Sequence, residues 1–98
     1  MSIEIDLLLT RTPGVRHGRP CITGTGISVH RVAIMYKLGH DPEEIMRKYP
    51  HLSIAGVYAA LTYYHANQAE VEAEIAADQA EEERIEAEWL RMRNSQVA

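Results

Sequence analysis

Apolar positions change their spacing several times along this chain, and each change marks an element. Residues 3–9, IEIDLLL, alternate and then run apolar, which predicts a short strand near 5–10. Residues 11–19 hold Pro13, Gly14 and Gly18 and read as a loop or tight turn. Pro20-Cys21-Ile22-Thr23 reads as a second short strand that pairs with the first as a ribbon. Ser28 is a good N-cap, and Val29, Val32, Ala33 and Tyr36 follow at i, i+3, i+4 and i+7, one face of a first helix. Gly39 is placed to end it. Asp41-Pro42-Glu43-Glu44 starts a second helix, which Pro50 stops at Tyr49. Ser53 caps a third.

From Ile54 the spacing alternates between three and four. Positions 54, 57, 61, 64, 68, 71, 75, 78, 82, 85, 89 and 92 are apolar except for Gln68, Asp78 and Glu82. An unbroken helix over 53–92 would be roughly 60 Å long. A break at Asn67 is the alternative, because Asn tolerates the left-handed conformation. The polar entries leave two apolar patches, one at Val71 and Ile75, the other at Ile85, Trp89 and Met92. The expected fold class is mainly α with a short N-terminal β-ribbon: a tri-helical, helix-turn-helix-like head followed by a long C-terminal helix. The head is expected over 1–66 and an acidic helical extension over 67–98.

Charge sharpens that division. Residues 1–69 hold seven Lys/Arg and five acids, a balance of +2, whereas residues 70–98 hold three Arg and nine acids, a balance of −6. A basic head and an acidic tail suit different partners, although a solvated helix would also read this way. No apolar run approaches the 18 residues of a membrane span. The first residues lack the basic stretch of a signal peptide, and a lone Cys21 forms no internal disulfide. A cytoplasmic protein is expected.

Three helices joined by tight turns suggest DNA binding, with the start of the third helix as reader. That segment, SIAGVYAALTYYH, contains no Lys or Arg, and DNA affinity leans on phosphate neutralisation. The candidate DNA contacts therefore lie around it: Arg16, Arg19, Arg31, Arg47, Lys48, His51 and Ser53. The Gly-rich loop is no P-loop, since no Gly-Lys-Ser/Thr follows its glycines. None of the five histidines pairs with another at i, i+4, so no metal site and no cofactor is expected. Cys21 sits beside Pro20 and Ile22 and reads as a small buried hydrophobe rather than a nucleophile. Nothing argues for catalysis. Trp89 stands alone in a charged tail, as an interface anchor does; a homodimeric coiled coil or a fold-back onto the head would also cover it. The candidate partner-binding residues are Val71, Ile75, Ile85, Trp89, Met92, Arg91 and Arg93.

Three blocks in order resemble a known family. GRPCITGTGISV (18–29), LGHDPEEI (38–45), and YPHLS (49–53) with VYAALTY (57–63) are similar to the signature of the domain-of-unknown-function family numbered 433. The signature residues are Gly18, Pro20, Gly24, Thr25, Val29, Gly39, Pro50 and Ala60, and the resemblance covers roughly residues 5–65. Three positions depart from it: Gly26 stands where the family has Arg, Ser28 where it has Pro, and Ala55-Gly56 where it has two acids. The resemblance implies a β-ribbon and a winged or homeodomain-like head. It also implies an antitoxin role opposite a PIN-like ribonuclease toxin, the head on operator DNA and the extension over the toxin.

The resulting expectation is a non-enzymatic, homodimeric, antitoxin-like regulator. Apolar burial of the tail would supply toxin affinity, and Arg91 and Arg93 would pair with the toxin's metal-binding carboxylates. The alternative is a structural or assembly module that homo-oligomerises, or binds an adaptor, through the long helix without touching DNA. A pure transcription regulator is disfavoured by the uncharged reader helix.

Overall fold

The computed structural model describes residues 4–97. Its contacts divide the chain after Gln68 into two units. The first unit holds a two-stranded antiparallel ribbon, β1 (Leu9–Thr10) and β2 (Cys21–Ile22), with Leu9 opposite Ile22 and Thr10 opposite Cys21. Three helices follow: α1 (Val29–Lys37), α2 (Pro42–Lys48) and α3 (Ile54–Ala66). The second unit is α4 (Gln68–Val97).

The strand expected over 5–10 is shorter than that. Ile5–Leu7 forms a 3-10 turn instead, closed by Leu7 N–H to Glu4 C=O and Leu8 N–H to Ile5 C=O, both 3.0 Å. The reason lies in the partner strand. Gly24, which the register would set opposite Leu7, reverses the chain just past β2. Residues 5–7 therefore have no strand to pair with, and Ile5 and Leu7 stay exposed. The loop expected over 11–19 also contains a 3-10 turn at Arg16–Gly18, whose Arg16 and His17 take φ of 49° and 58°.

Two signature residues make the turn after β2. Thr25 N–H donates to Ile22 C=O at 3.0 Å across a turn whose third residue, Gly24, has φ of 80°. The Thr25 hydroxyl also donates to Ile22 C=O (2.8 Å) and accepts from Ile27 N–H (3.1 Å). The returning chain lies along β2, with Ile22 N–H to Ile27 C=O at 2.9 Å and Val29 N–H to Pro20 C=O at 3.0 Å.

Helix ends follow the sequence signals closely. Ser28 accepts from Arg31 N–H, and Ser53 from Gly56 N–H. Asp41 and Glu44 form a reciprocal capping box around Pro42. Gly39, at φ 100°, closes α1 in a Schellman motif: its N–H bonds Tyr36 C=O (3.0 Å), and His40 N–H bonds Met35 C=O (3.1 Å). Asn67 does break the long helix, but not by a left-handed turn, since its φ is −131°. Its N–H still makes the regular helical bond to Tyr63 C=O at 2.9 Å, and its side-chain amide adds a second donor to that same carbonyl at 3.1 Å.

The head core gathers around α3, which packs against α1, α2 and β2. Val29, Val32, Ala33 and Met35 of α1, Ile45 of α2, and Val57, Ala60, Leu61 and Tyr64 of α3 are buried with Cys21 and Ile22. Tyr36, expected on the buried face, is 40% exposed; Met35 takes the inward position beside it. Tyr36 instead meets Tyr64 and His65 edge-on, with ring centroids 6.3 and 5.4 Å apart. Gly56 is where α3 comes nearest β2. A Cβ there would lie 2.5 Å from Ile22 Cγ2.

Candidate interaction surfaces

The first candidate surface is the basic edge of the head. Arg11, Arg16 and His17 are exposed on the loop between the strands, and Arg19 is half-buried. Two of these arginines brace that loop. Arg16 Nε donates to Gly26 C=O (3.2 Å), while Arg11 donates to Gly18 C=O (3.3 Å) and to the Tyr63 hydroxyl of α3 (2.7 Å). The Arg11 guanidinium also lies over the Tyr63 ring, 5.8 Å from its centroid. Arg16 thus holds the left-handed backbone at its own position, and one of its donors is already committed.

Arg31 is exposed on α1. Arg47 and Lys48 are exposed in the last turn of α2, where cations are favoured by the helix dipole. His51 is exposed at φ 69° in the turn between α2 and α3. The Ser53 hydroxyl accepts from Gly56 N–H at 3.0 Å, so capping accounts for it. Along α3 the exposed positions are Ile54, Ala55, Tyr58, Thr62, His65 and Ala66, none of them Lys or Arg. The braces at Arg11 and Tyr63 were not singled out from sequence; two residues 52 positions apart leave no local signal.

Other candidate chemistry is modest. Cys21 is a free, buried thiol, and its pKa is pushed up by burial, with Arg16 opposing. Among the described residues no three His, Cys, Asp or Glu side chains gather as a metal site, and no helix is long and apolar enough to cross a membrane. The Asp41 carboxylate lies below its ordinary range, chiefly because it accepts the Glu44 N–H.

The second candidate surface is on α4. Its apolar stripe divides by exposure. Val71 and Ile75 are 0% and 5% exposed and offer no surface to a partner, whereas Ile85, Trp89 and Met92 are 52%, 60% and 63% exposed. The proposed patch therefore contracts to its C-terminal half. Leu90, not anticipated because it falls off the stripe, is also 44% exposed. Arg91 and Arg93 are exposed, and the Arg93 guanidinium lies 5.6 Å from the Trp89 ring centroid.

One turn earlier, Arg84 bonds both Glu81 and Glu88, the latter at 2.9 Å. Its guanidinium holds the Glu81 carboxyl below its usual range. These i, i+3 and i, i+4 pairs favour the helical form of the distal segment.

Comparison with known proteins bears on the head. The family model described as "Protein of unknown function (DUF433)" matches residues 9–64. A crystal structure of a DUF433 member protein from Anabaena variabilis ATCC 29413 superposes with a TM-score of 0.66 at 30% sequence identity, over 74% of this chain and 71% of that one. Proteins of curated function gave no match. The matched span begins at β1 and ends at Tyr64, so it takes in the ribbon, the Gly24 turn and nearly all of the three head helices. The chain belongs to the DUF433 family of proteins of unknown function.

Proposed function

We propose that this chain is a non-enzymatic, antitoxin-like regulatory protein whose C-terminal helix captures a PIN-like ribonuclease. The observation that carries the reading is the exposure of Ile85, Trp89 and Met92 together on one face of a strongly acidic helix. An aromatic anchor ringed by aliphatic residues and flanked by arginines suits a protein groove bordered by carboxylates. Arg91 and Arg93, exposed near that anchor, would pair with such carboxylates.

Operator DNA is the proposed ligand of the head. Arg31, Arg47, Lys48 and His51 are its exposed contacts, together with Arg16 of the loop. An α3 without Lys or Arg limits the head to phosphate contact and shape, so DNA affinity should fall steeply with salt.

The test is co-purification of the full chain with a PIN-like protein encoded beside it, together with inhibition of that protein's RNA cleavage. Trp89→Ala and Ile85→Ala should each release the partner and restore cleavage. A chain truncated after Asn67 that still binds and inhibits equally well would refute the tail's role. The rival reading, an assembly module, uses the same stripe but predicts no salt-dependent binding of the head to promoter DNA.

A further inference from the structure

The exposed stripe of α4 has a symmetry that its charge pattern shares. Ile85, Trp89 and Met92 lie at i, i+4 and i+7, on one face of the helix. Reversing the direction of a second copy about Trp89 places Trp89 against its equivalent and brings Ile85 to within about one residue of the level of Met92, twice over. The same reversal brings Glu86, which follows Ile85 on one flank of the stripe, opposite Arg93, which follows Met92 on that same flank. Flanking charges of this kind set orientation in paired helices.

A parallel, in-register pair is worse in its charges. It would set the −6 of residues 70–98 alongside an identical −6. It would also place Glu81 beside the second copy's Glu86, which offsets the Glu88 to Arg93 pairing that this orientation allows. The reversed pair overlaps only over about residues 81–97, a seam roughly 25 Å long. Most of the acids between Glu70 and Glu82 then lie outside the overlap. Glu88, on the other flank, faces its own equivalent, but Arg84 already bonds it at 2.9 Å.

We infer that in the free chain a second copy of the same protein occupies this stripe, with the two α4 helices antiparallel and centred on Trp89. The contact is short, three apolar positions from each copy, so it forms a weak dimer rather than a permanent one. A partner that takes the same three residues must displace it. The inference is independent of what that partner is.

Sedimentation and tryptophan emission of the full chain over a concentration series test it. The sole Trp reports the seam: its emission should shift to the blue as the dimer forms, and Trp89→Ala should weaken association about a hundred-fold. Glu86→Arg sets arginines against Arg93 and should weaken association about ten-fold; the double variant Glu86→Arg/Arg93→Glu restores the pairing with signs exchanged. Both sites are exposed, so helical circular dichroism should be unchanged. Three results would overturn the inference: a chain that stays monomeric at millimolar concentration, dimers that survive Trp89→Ala, or a Glu86→Arg that associates more tightly, as a parallel pair requires. Capture of a PIN-like protein is read separately and does not depend on these outcomes.

Discussion

Replacing Gly56 by Ala adds one methyl group to the tightest contact in the head. Its Cβ would lie 2.5 Å from Ile22 Cγ2 and 3.0 Å from Ser53 Oγ. Carbon atoms in ordinary contact sit about 3.5–4.0 Å apart, so the overlap is roughly an ångström. Ile22 has little room to yield. It is 3% exposed, branched at Cβ, and fixed by backbone bonds that tie β2 to the chain on both sides. Overpacking of this kind costs about 1–3 kcal/mol. Ala gains up to about 1 kcal/mol over Gly in a helix. The net expectation is a loss of about 1–2 kcal/mol. For a unit of this size that lowers the midpoint by about 4–16 °C.

The assay can be confined to the head. All five tyrosines lie between residues 36 and 64, and the one tryptophan lies in α4. Tyrosine near-ultraviolet circular dichroism during urea unfolding therefore reports the first unit and tryptophan emission the second. The decisive comparison is made in an Ile22→Ala background, which removes the clashing methyl. There Gly56→Ala should be neutral or stabilising, giving a coupling of about 1–3 kcal/mol between the two sites. Equal cost in both backgrounds, or a Gly56→Ala protein as stable as the parent, would refute the account of how α3 docks on the ribbon.

Gly39→Ala should cost about 1 kcal/mol in the same assay, because its φ of 100° closes the Schellman motif of α1 and no clash is involved. Gly26→Arg, which restores the family's usual residue, should change stability by less than about 0.5 kcal/mol, since a Cβ at 26 meets nothing within 4 Å. For Asp41 the folded pKa lies below the unfolded value, so its contribution is present above about pH 4 and is lost as pH falls through the folded value. Asp41→Asn keeps an acceptor at the cap but cannot titrate. Urea midpoints measured from neutral to acid pH should therefore fall less steeply in the variant than in the parent.

Much of the head was legible because its signals are local. Ser28, Asp41 with Glu44, Ser53 and Gly39 each satisfy backbone groups within four residues, and such pairs can be read by spacing alone. The ribbon was legible only in part. Alternation at Ile5 and Leu7 promises a strand, but a strand needs a partner, and β2 offers only Cys21 and Ile22. What decides where β1 begins is the turn at Gly24, well along the chain from Leu9. The Arg11 brace to Tyr63 and the approach of Gly56 to Ile22 are likewise products of topology.

The tail shows the same limit from the other side. Heptad spacing marks Val71, Ile75, Ile85, Trp89 and Met92 as one stripe, because periodicity records which residues share a face. It does not record which part of that face is buried. The first two are buried and the last three are not, and the polar entries Asp78 and Glu82 fall at the changeover. A continuous apolar stripe of five heptads would predict one uninterrupted coiled coil, and so one partner for the whole helix. Two acidic positions set between a buried pair and an exposed triad predict something narrower. Whatever binds α4 binds its last few turns, and variants at Val71 or Ile75 should alter stability before they alter any partner's affinity.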